Sequence, residues 1–166
     1  AEIAPHFTTK RMMDDYFDRF YNKLAQRSRL LHENNYAKAK EIVKWKIDTV
    51  SKWDHLEVVK LEFNPNQKAN FNNGHNEVYG QVVIDRKDMK CDLGVECVVV
   101  DHDTMNNEPQ FVQSYELDLV KTEGSLLYFE ARKALNDPGT HQYGLRVYPK
   151  NADLPHRMDF AYMRWI

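Results

Sequence analysis

Apolar residues recur at intervals of three, four and seven positions over the first fifty residues, which is the spacing of one face of an α-helix. In segment 8–33 this face consists of Met13, Phe17, Phe20, Leu24 and Leu31. In segment 35–53 it consists of Ala39, Ile42, Val43, Ile47 and Val50. The pair Asn34 and Asn35 interrupts the pattern between the two segments. Because so short a link joins two long helices, the sequence predicts an antiparallel helical hairpin.

After His55 apolar and polar residues alternate, which is the pattern of half-buried β-strands. Seven such runs cover residues 58–63, 78–85, 93–101, 111–120, 126–131, 142–148 and 158–165. Turn-forming residues separate the runs, for example Asn73 and Gly74, or Glu123 and Gly124. Neighbouring strands are therefore expected to be antiparallel. The sequence predicts an antiparallel immunoglobulin-like β-sandwich of about seven strands.

Together the two patterns predict an α+β chain with two domains. Residues 1–55 form the helical hairpin and residues 56–166 form the β-sandwich. A hairpin of two amphipathic helices cannot bury both of its apolar faces, so we expect it to pack on a further surface. The expected interface lies near the start of the first helix and consists of Met12, Met13, Tyr16, Phe17 and Phe20.

Composition narrows the possible partners and location of the chain. Its 166 residues carry 23 basic and 25 acidic side chains, a net charge of −2. This balance gives no electrostatic reason to bind nucleic acid or an anionic membrane. No apolar run approaches the roughly 20 residues of a membrane-spanning helix. Two cysteines, Cys91 and Cys97, do not make a disulfide scaffold and fit a reducing compartment, so a cytoplasmic location is expected.

No arrangement typical of an active site occurs in the sequence. Asp101, His102 and Asp103 are adjacent, so their side chains point in different directions, and a solvated turn is the expected interpretation rather than a metal site. The serines lack the glycine-flanked turn of a hydrolase nucleophile. All six glycines lie at or beyond position 74, away from the helix starts where phosphate groups bind. We therefore predict no catalytic, cofactor-binding or metal-binding residue.

Aromatic residues concentrate in the last two predicted strands, and two interpretations stay open. These side chains either form a platform on which sugar rings stack or fill the core of the sandwich. The residues are Tyr143, Tyr148, Phe160, Tyr162 and Trp165. The nearby Arg146, Arg157 and Arg164 are candidates for interface contacts.

Several separated motifs resemble the carboxyl-terminal part of glycogen and α-glucan phosphorylases. Residues 7–11 (Phe-Thr-Thr-Lys-Arg) followed by Tyr16 resemble the segment that opens the last helices of that family. Residues 34–40 with Trp45 and Trp53 resemble the stretch that follows in its bacterial and archaeal branch. The ending, which runs from residues 143–150 through 153–156 to Trp165, resembles the carboxyl-terminal signature of that branch.

The resemblance implies a parent enzyme that cleaves α-1,4-glucan with inorganic phosphate, releases glucose 1-phosphate and contains pyridoxal phosphate. The family's cofactor-lysine motif, a lysine followed by Ser or Thr and then Gly-Asn-Met-Lys, has no counterpart in the 166 residues. Its glycine-rich substrate loop is also missing. The resemblance therefore implies that the chain is a carboxyl-terminal portion without catalytic residues. It also implies that the remainder of the catalytic domain is a partner of the chain.

Three hypotheses about function follow. The first is a structural or oligomer-interface module of an α-glucan phosphorylase, in which a second copy of the chain is a further partner. The second is a glucan-binding β-sandwich with weak contact to α-glucan. The third is a stand-alone interaction protein with a helical arm. Because the apolar helix faces are uncovered, the isolated chain is also expected to dimerise or to keep a mobile hairpin.

Overall fold

The computed structural model describes residues 8–64, 76–102, 108–135 and 142–166. Contacts divide the chain into two compact units, the first ending at Lys46 and the second spanning Ile47–Ile166. Helices come first, and eight strands in two sheets follow. Each strand pairing is antiparallel. The predicted α+β class is confirmed.

The helical part begins where the sequence places it. Helix α1 spans Thr9–Tyr16, a π-helical turn covers Phe17–Tyr21, and helix α2 spans Asn22–Lys52. Thr8 is the N-cap residue, because its backbone is extended and its hydroxyl oxygen accepts a hydrogen bond of 3.3 Å from the Arg11 amide.

Helix α2 is broken at the predicted position. Glu33 has an extended ψ of 149°, and Asn34, Asn35 and Tyr36 have positive φ values of 50°, 56° and 62°. Asparagine adopts this left-handed conformation more readily than most residues, which explains why the Asn pair marks the break. The antiparallel packing of the two helical segments stays a prediction.

The apolar face that the sequence gives to the second helical segment is only partly buried. Ile42 is buried, but Val43 is exposed. Further along α2, Ile47 and Val50 are also exposed, whereas Thr49 is buried. The side of the helix that carries Val43, Ile47 and Val50 therefore faces solvent in this structure. The helical spacing of the apolar residues could not show which side of the helix is buried, because both sides carry apolar residues at that spacing.

Two four-stranded sheets form the second unit. The strands are β1 (Glu57–Asn64), β2 (Asn76–Asp85), β3 (Asp92–His102), β4 (Pro109–Glu116), β5 (Asp118–Glu123), β6 (Leu126–Leu135), β7 (Gln142–Lys150) and β8 (Arg164–Trp165). The first sheet has the order β1-β2-β6-β5 and the second the order β4-β3-β7-β8. With the strands named A, B, C, C′, D, E, F and G, these orders are ABED and C′CFG. This arrangement is immunoglobulin-like, as predicted.

Two of the expected strands differ in the structure. The run 111–120 is divided at Leu117, where the chain passes from the second sheet to the first. The run 158–165 is mostly irregular: a 3₁₀ turn covers Arg157–Phe160, and only Arg164 and Trp165 pair with β7. The expected turn at Asn73 and Gly74 lies outside the described residues, whereas Gly124 forms the β5–β6 turn with a φ of +61°.

The core fills the space between the sheets. Val82 and Ile84 of β2 and Phe129 of β6 are buried on one side. On the other side, Val95 and Val99 of β3 are fully buried. Alternate residues on β3 point inward, so Cys97 belongs to the same layer, whereas Cys91 precedes the strand; both thiols are free and buried. Burial raises the pKa of the Cys91 thiol and raises the pKa of Cys97 to about 12.

The Cys97 thiol predicts a loss of stability at alkaline pH. An unfolded thiol ionises near pH 8.5. Because the pKa of the thiol is higher in the folded protein, its contribution to the free energy of unfolding is complete below the unfolded pKa. This contribution falls as the pH rises toward 12. Urea denaturation in reducing buffer at pH 7 and pH 10 should show that Cys97→Val reduces this loss by about 1–2 kcal/mol. An equal loss in the wild type and the variant would contradict the assignment.

Candidate functional site

A ten-residue segment near the end of the second unit covers part of the outer face of the second sheet. We name residues 156–165 the C-terminal strap. His156 and Asp159 open it with reciprocal hydrogen bonds: the His156 ring nitrogen accepts from the Met158 amide at 3.0 Å, and Asp159 accepts from the His156 amide at 3.2 Å. The strap ends on β7, where the Trp165 ring lies so close to Gly144 that an added Cβ would approach it to 2.9 Å.

A buried carboxylate holds the strap. Glu96, on the outer face of β3, is only 4% exposed and forms ion pairs with two arginines. Arg146 donates from its Nε on the neighbouring strand β7, and Arg157 of the strap donates from Nη1 at 2.8 Å. The hydrogen bond from Arg157 to Glu96 raises the pKa of the guanidinium. The sequence analysis missed this group, although a glutamate inside the apolar run Val95–Val98 is a signal for a paired, buried charge.

Further contacts connect the strap to the start of the sandwich. Arg164 donates to the Leu56 carbonyl oxygen at 2.8 Å. Tyr162 meets the buried Trp53 edge-on, with ring centroids 5.5 Å apart and an interplanar angle of 87°. All three arginines proposed as interface contacts are thus engaged within this unit.

The five aromatic residues of the possible sugar platform do not form one surface. Tyr148 is buried, with Arg157 4.7 Å from its ring centroid, and burial raises its pKa to about 12. Tyr143 packs against Phe63, and Phe160 stacks on Tyr162. Trp165 is the most exposed of the five at 56%. The structure therefore does not bring these five residues together as a platform, and at least Tyr148 is buried instead.

The expected interface on the helical part is exposed. The side chains of Met12, Met13, Tyr16, Phe17 and Phe20 are between 46% and 54% exposed. Tyr16 contacts Phe20 with ring centroids 6.2 Å apart, so the aromatic residues of this face cover one another only in part. Contiguous apolar surface of this kind is typical of a contact site rather than of a free helix in water.

The described residues contain no cluster of metal ligands and no lysine suited to the cofactor that the resemblance implies. No group of three or more potential metal ligands occurs among them; Asp103 lies outside. A Schiff base with pyridoxal phosphate requires a buried lysine amine. Each lysine whose side chain is described is at least partly exposed, and one of the less exposed, Lys52, pairs with Asp48 at 2.8 Å. These lysines do not fit the cofactor.

Among the described helices, none combines the length and apolarity of a membrane span.

The comparisons with known proteins decide the family. Residues 53–166, well over half of the chain, match the family described as the glycogen phosphorylase C-terminal domain. The chain belongs to this family. The match includes the whole sandwich and the C-terminal strap, so the buried Glu96 and its two arginines lie inside the family region.

One curated relative extends the similarity over the helices. The chain is 27% identical to a maltodextrin phosphorylase of Thermococcus litoralis over 174 aligned positions. The alignment covers 98% of this chain and 19% of the relative, so the chain spans about a fifth of that protein's length. No solved structure matches the chain significantly.

The Glu96 ion pairs predict a large and site-specific loss of stability. Glu96→Gln keeps the side-chain shape but leaves two guanidinium groups beside a neutral amide, which should lower the free energy of unfolding by about 3 kcal/mol. Urea denaturation at pH 7 measures the change. Glu116→Gln is the matched control, because this carboxylate is on the same sheet, pairs with Lys150 and is 48% exposed. The control should cost less than about 1 kcal/mol, and similar losses in both variants would disprove the special role of Glu96.

Proposed function

We propose that the chain is the carboxyl-terminal structural and interaction region of an α-glucan phosphorylase. In its full-length form this enzyme releases glucose 1-phosphate from α-1,4-glucan with inorganic phosphate and uses pyridoxal phosphate. The observation that carries the proposal is the family match over residues 53–166, and the similarity to a maltodextrin phosphorylase over nearly the whole chain supports it. The reaction and its cofactor belong to the remainder of the enzyme.

The exposed helical face supports a packing role. We infer that Met12, Met13, Tyr16, Phe17 and Phe20 contact the remainder of the catalytic domain. Burial of such side chains contributes about 1.5–3 kcal/mol each. Residues 1–55 then belong functionally to the tail of the catalytic domain and residues 56–166 to the carboxyl-terminal domain. The buried free cysteines fit a reducing compartment, which supports a cytoplasmic location.

Phosphorolysis assays test the proposed function. The 166-residue chain with maltodextrin, phosphate and pyridoxal phosphate should release no glucose 1-phosphate. The product of the same reading frame extended upstream of Ala1 should release it under identical conditions. Turnover by the 166-residue chain would contradict its non-catalytic role. An inactive but folded and cofactor-loaded extended product would contradict the phosphorylase assignment.

The packing role predicts the effect of polar substitutions on the helical face. In the extended product, Phe17→Ser with Phe20→Ser should lower the melting temperature by several degrees, because two aromatic side chains lose their apolar partners. The matched control is Arg19→Ser with Lys23→Ser, two polar positions in the same helical region. Differential scanning calorimetry measures both variants. In the 166-residue chain, the aromatic variant should also reduce self-association in light scattering. If neither measurement separates the aromatic variant from its control, this face is not an interface.

A further inference from the structure

The second unit contains an open cleft of about 1020 Å³ at an edge of its two sheets. Its origin is the crossing at Leu117, whose amide donates to the Val95 carbonyl oxygen at 2.8 Å as the chain leaves the second sheet. Pairing of β3 with β4 begins at Glu96, so residues 92–94 of β3 have β7 on one side and no described strand on the other. Beyond the crossing the chain continues as β5 in the opposite sheet. The cleft opens at this edge and extends to the outer face of the second sheet, where Tyr148 and Arg157 also line it.

The floor of the cleft is apolar but almost covered. Leu93, Leu117, Leu127 and Phe129 line it and are only 1–4% exposed, so exposed apolar surface has to come from other lining residues such as Leu119. Leu119 pairs with Phe129 across β5 and β6, so the two side chains share a face of the first sheet. Phe129 is 1% exposed and Leu119 is 52% exposed. Leu119 is more exposed than Phe129 because the second sheet does not cover β5. The Leu119 side chain is therefore apolar surface that a ligand can contact.

Charged and amide side chains surround this apolar surface. Three acidic residues, Asp92, Glu116 and Asp118, and three basic residues, Arg86, Lys150 and Arg157, line the cleft, so its formal charge is zero. Lys150 pairs with Glu116, and Arg157 pairs with Glu96. Among the described residues, neither Asp92 nor Asp118 has an ion-pair partner. The Asn151 side chain also lines the cleft.

We propose that this cleft binds an α-1,4-glucan oligosaccharide at a site separate from the catalytic part of the enzyme. The choice of α-1,4-glucan among carbohydrates rests on the proposed function. A pyranose ring has C–H faces that can pack on the exposed Leu119 side chain and hydroxyl groups that can donate to the carboxylates of Asp92 and Asp118. The volume is at the upper end of the roughly 300–1,000 Å³ of ligand clefts, which suits several sugar units.

The charge and the edge geometry disfavour other ligands. The cleft presents the cation of Arg86 as well as the carboxylates of Asp92 and Asp118, so its charge gives no net attraction to an ionic ligand. A purely apolar ligand would remove water from these charged groups without replacing their hydrogen bonds. An extended peptide that pairs with the free edge of β3 would find only residues 92–94. Three residues offer too few main-chain hydrogen bonds for strand addition to supply the affinity. A neutral molecule with many hydroxyl groups fits best.

Isothermal titration calorimetry of the 166-residue chain with maltoheptaose tests the proposal, with cellohexaose as the comparison glucan. Asp118→Asn should weaken maltoheptaose binding about tenfold or more, because hydrogen bonds to a charged acceptor are lost. Thr122→Trp should abolish binding by filling the cleft, since Thr122 lines it from β5. Trp165→Ala is the matched control: this exposed aromatic lies on the strap, outside the cleft, and its loss should leave binding unchanged. Circular dichroism and thermal melts verify that each variant is folded.

Each outcome of this experiment has a distinct meaning. Maltoheptaose binding that the two cleft variants lose and Trp165→Ala keeps supports the proposal. No binding by the wild type, equal binding of cellohexaose, or loss of binding only in Trp165→Ala overturns it. If the extended product phosphorolyses glucan but the 166-residue chain binds no maltoheptaose, only the proposed glucan site in the cleft is refuted. Binding together with an inactive extended product refutes only the proposed function.

Discussion

A carboxylate buried between two guanidinium groups determines how the carboxyl-terminal end of the chain is held. Glu96 lies in the middle of β3, Arg146 comes from the adjacent strand and Arg157 from the strap. Detachment of the strap would leave this buried charge with one partner fewer, which is costly in a desolvated position. The strap in turn brings Arg164 to the Leu56 carbonyl and Tyr162 to Trp53. One buried charge therefore connects the last residues of the unit with the beginning of its sandwich.

The crossing at Leu117 determines where the sandwich is open. Ladder pairing satisfies the backbone groups of β3 from Glu96 onward, and the Leu117 amide satisfies the Val95 carbonyl oxygen. Because the chain then continues in the other sheet, the first residues of β3 keep a free edge and β5 keeps an uncovered face. The cleft is a direct consequence of one strand being divided between two sheets. Immunoglobulin-like sandwiches commonly place variable, ligand-accessible surfaces at such ends and edges.

The two units differ in how they use their apolar side chains. The sandwich buries Val82, Val95 and Phe129 between its sheets, whereas the helical part leaves Phe17 and Phe20 about half exposed. The chain belongs to the glycogen phosphorylase C-terminal domain family, and the proposed function gives this difference an interpretation. Under that proposal the chain needs no reactive group of its own, but it needs a stable core and a surface that binds the rest of the enzyme. Among the described residues the buried polar chemistry is structural, as the Glu96 pairs illustrate.

Local patterns in the sequence were sufficient for the α+β class, the start of the first helix at Thr8, the break at Asn34 and Asn35, and most strands, because periodicity, capping and turn chemistry act between near neighbours. They were not sufficient to show which helical stripe is buried, since Ile42 and Val43 are equally apolar. They also could not reveal the division at Leu117, the irregular strap or the partners of Glu96. Those features depend on pairings such as Glu96 with Arg146, fifty positions apart, whose energies exist only after the two sheets have assembled.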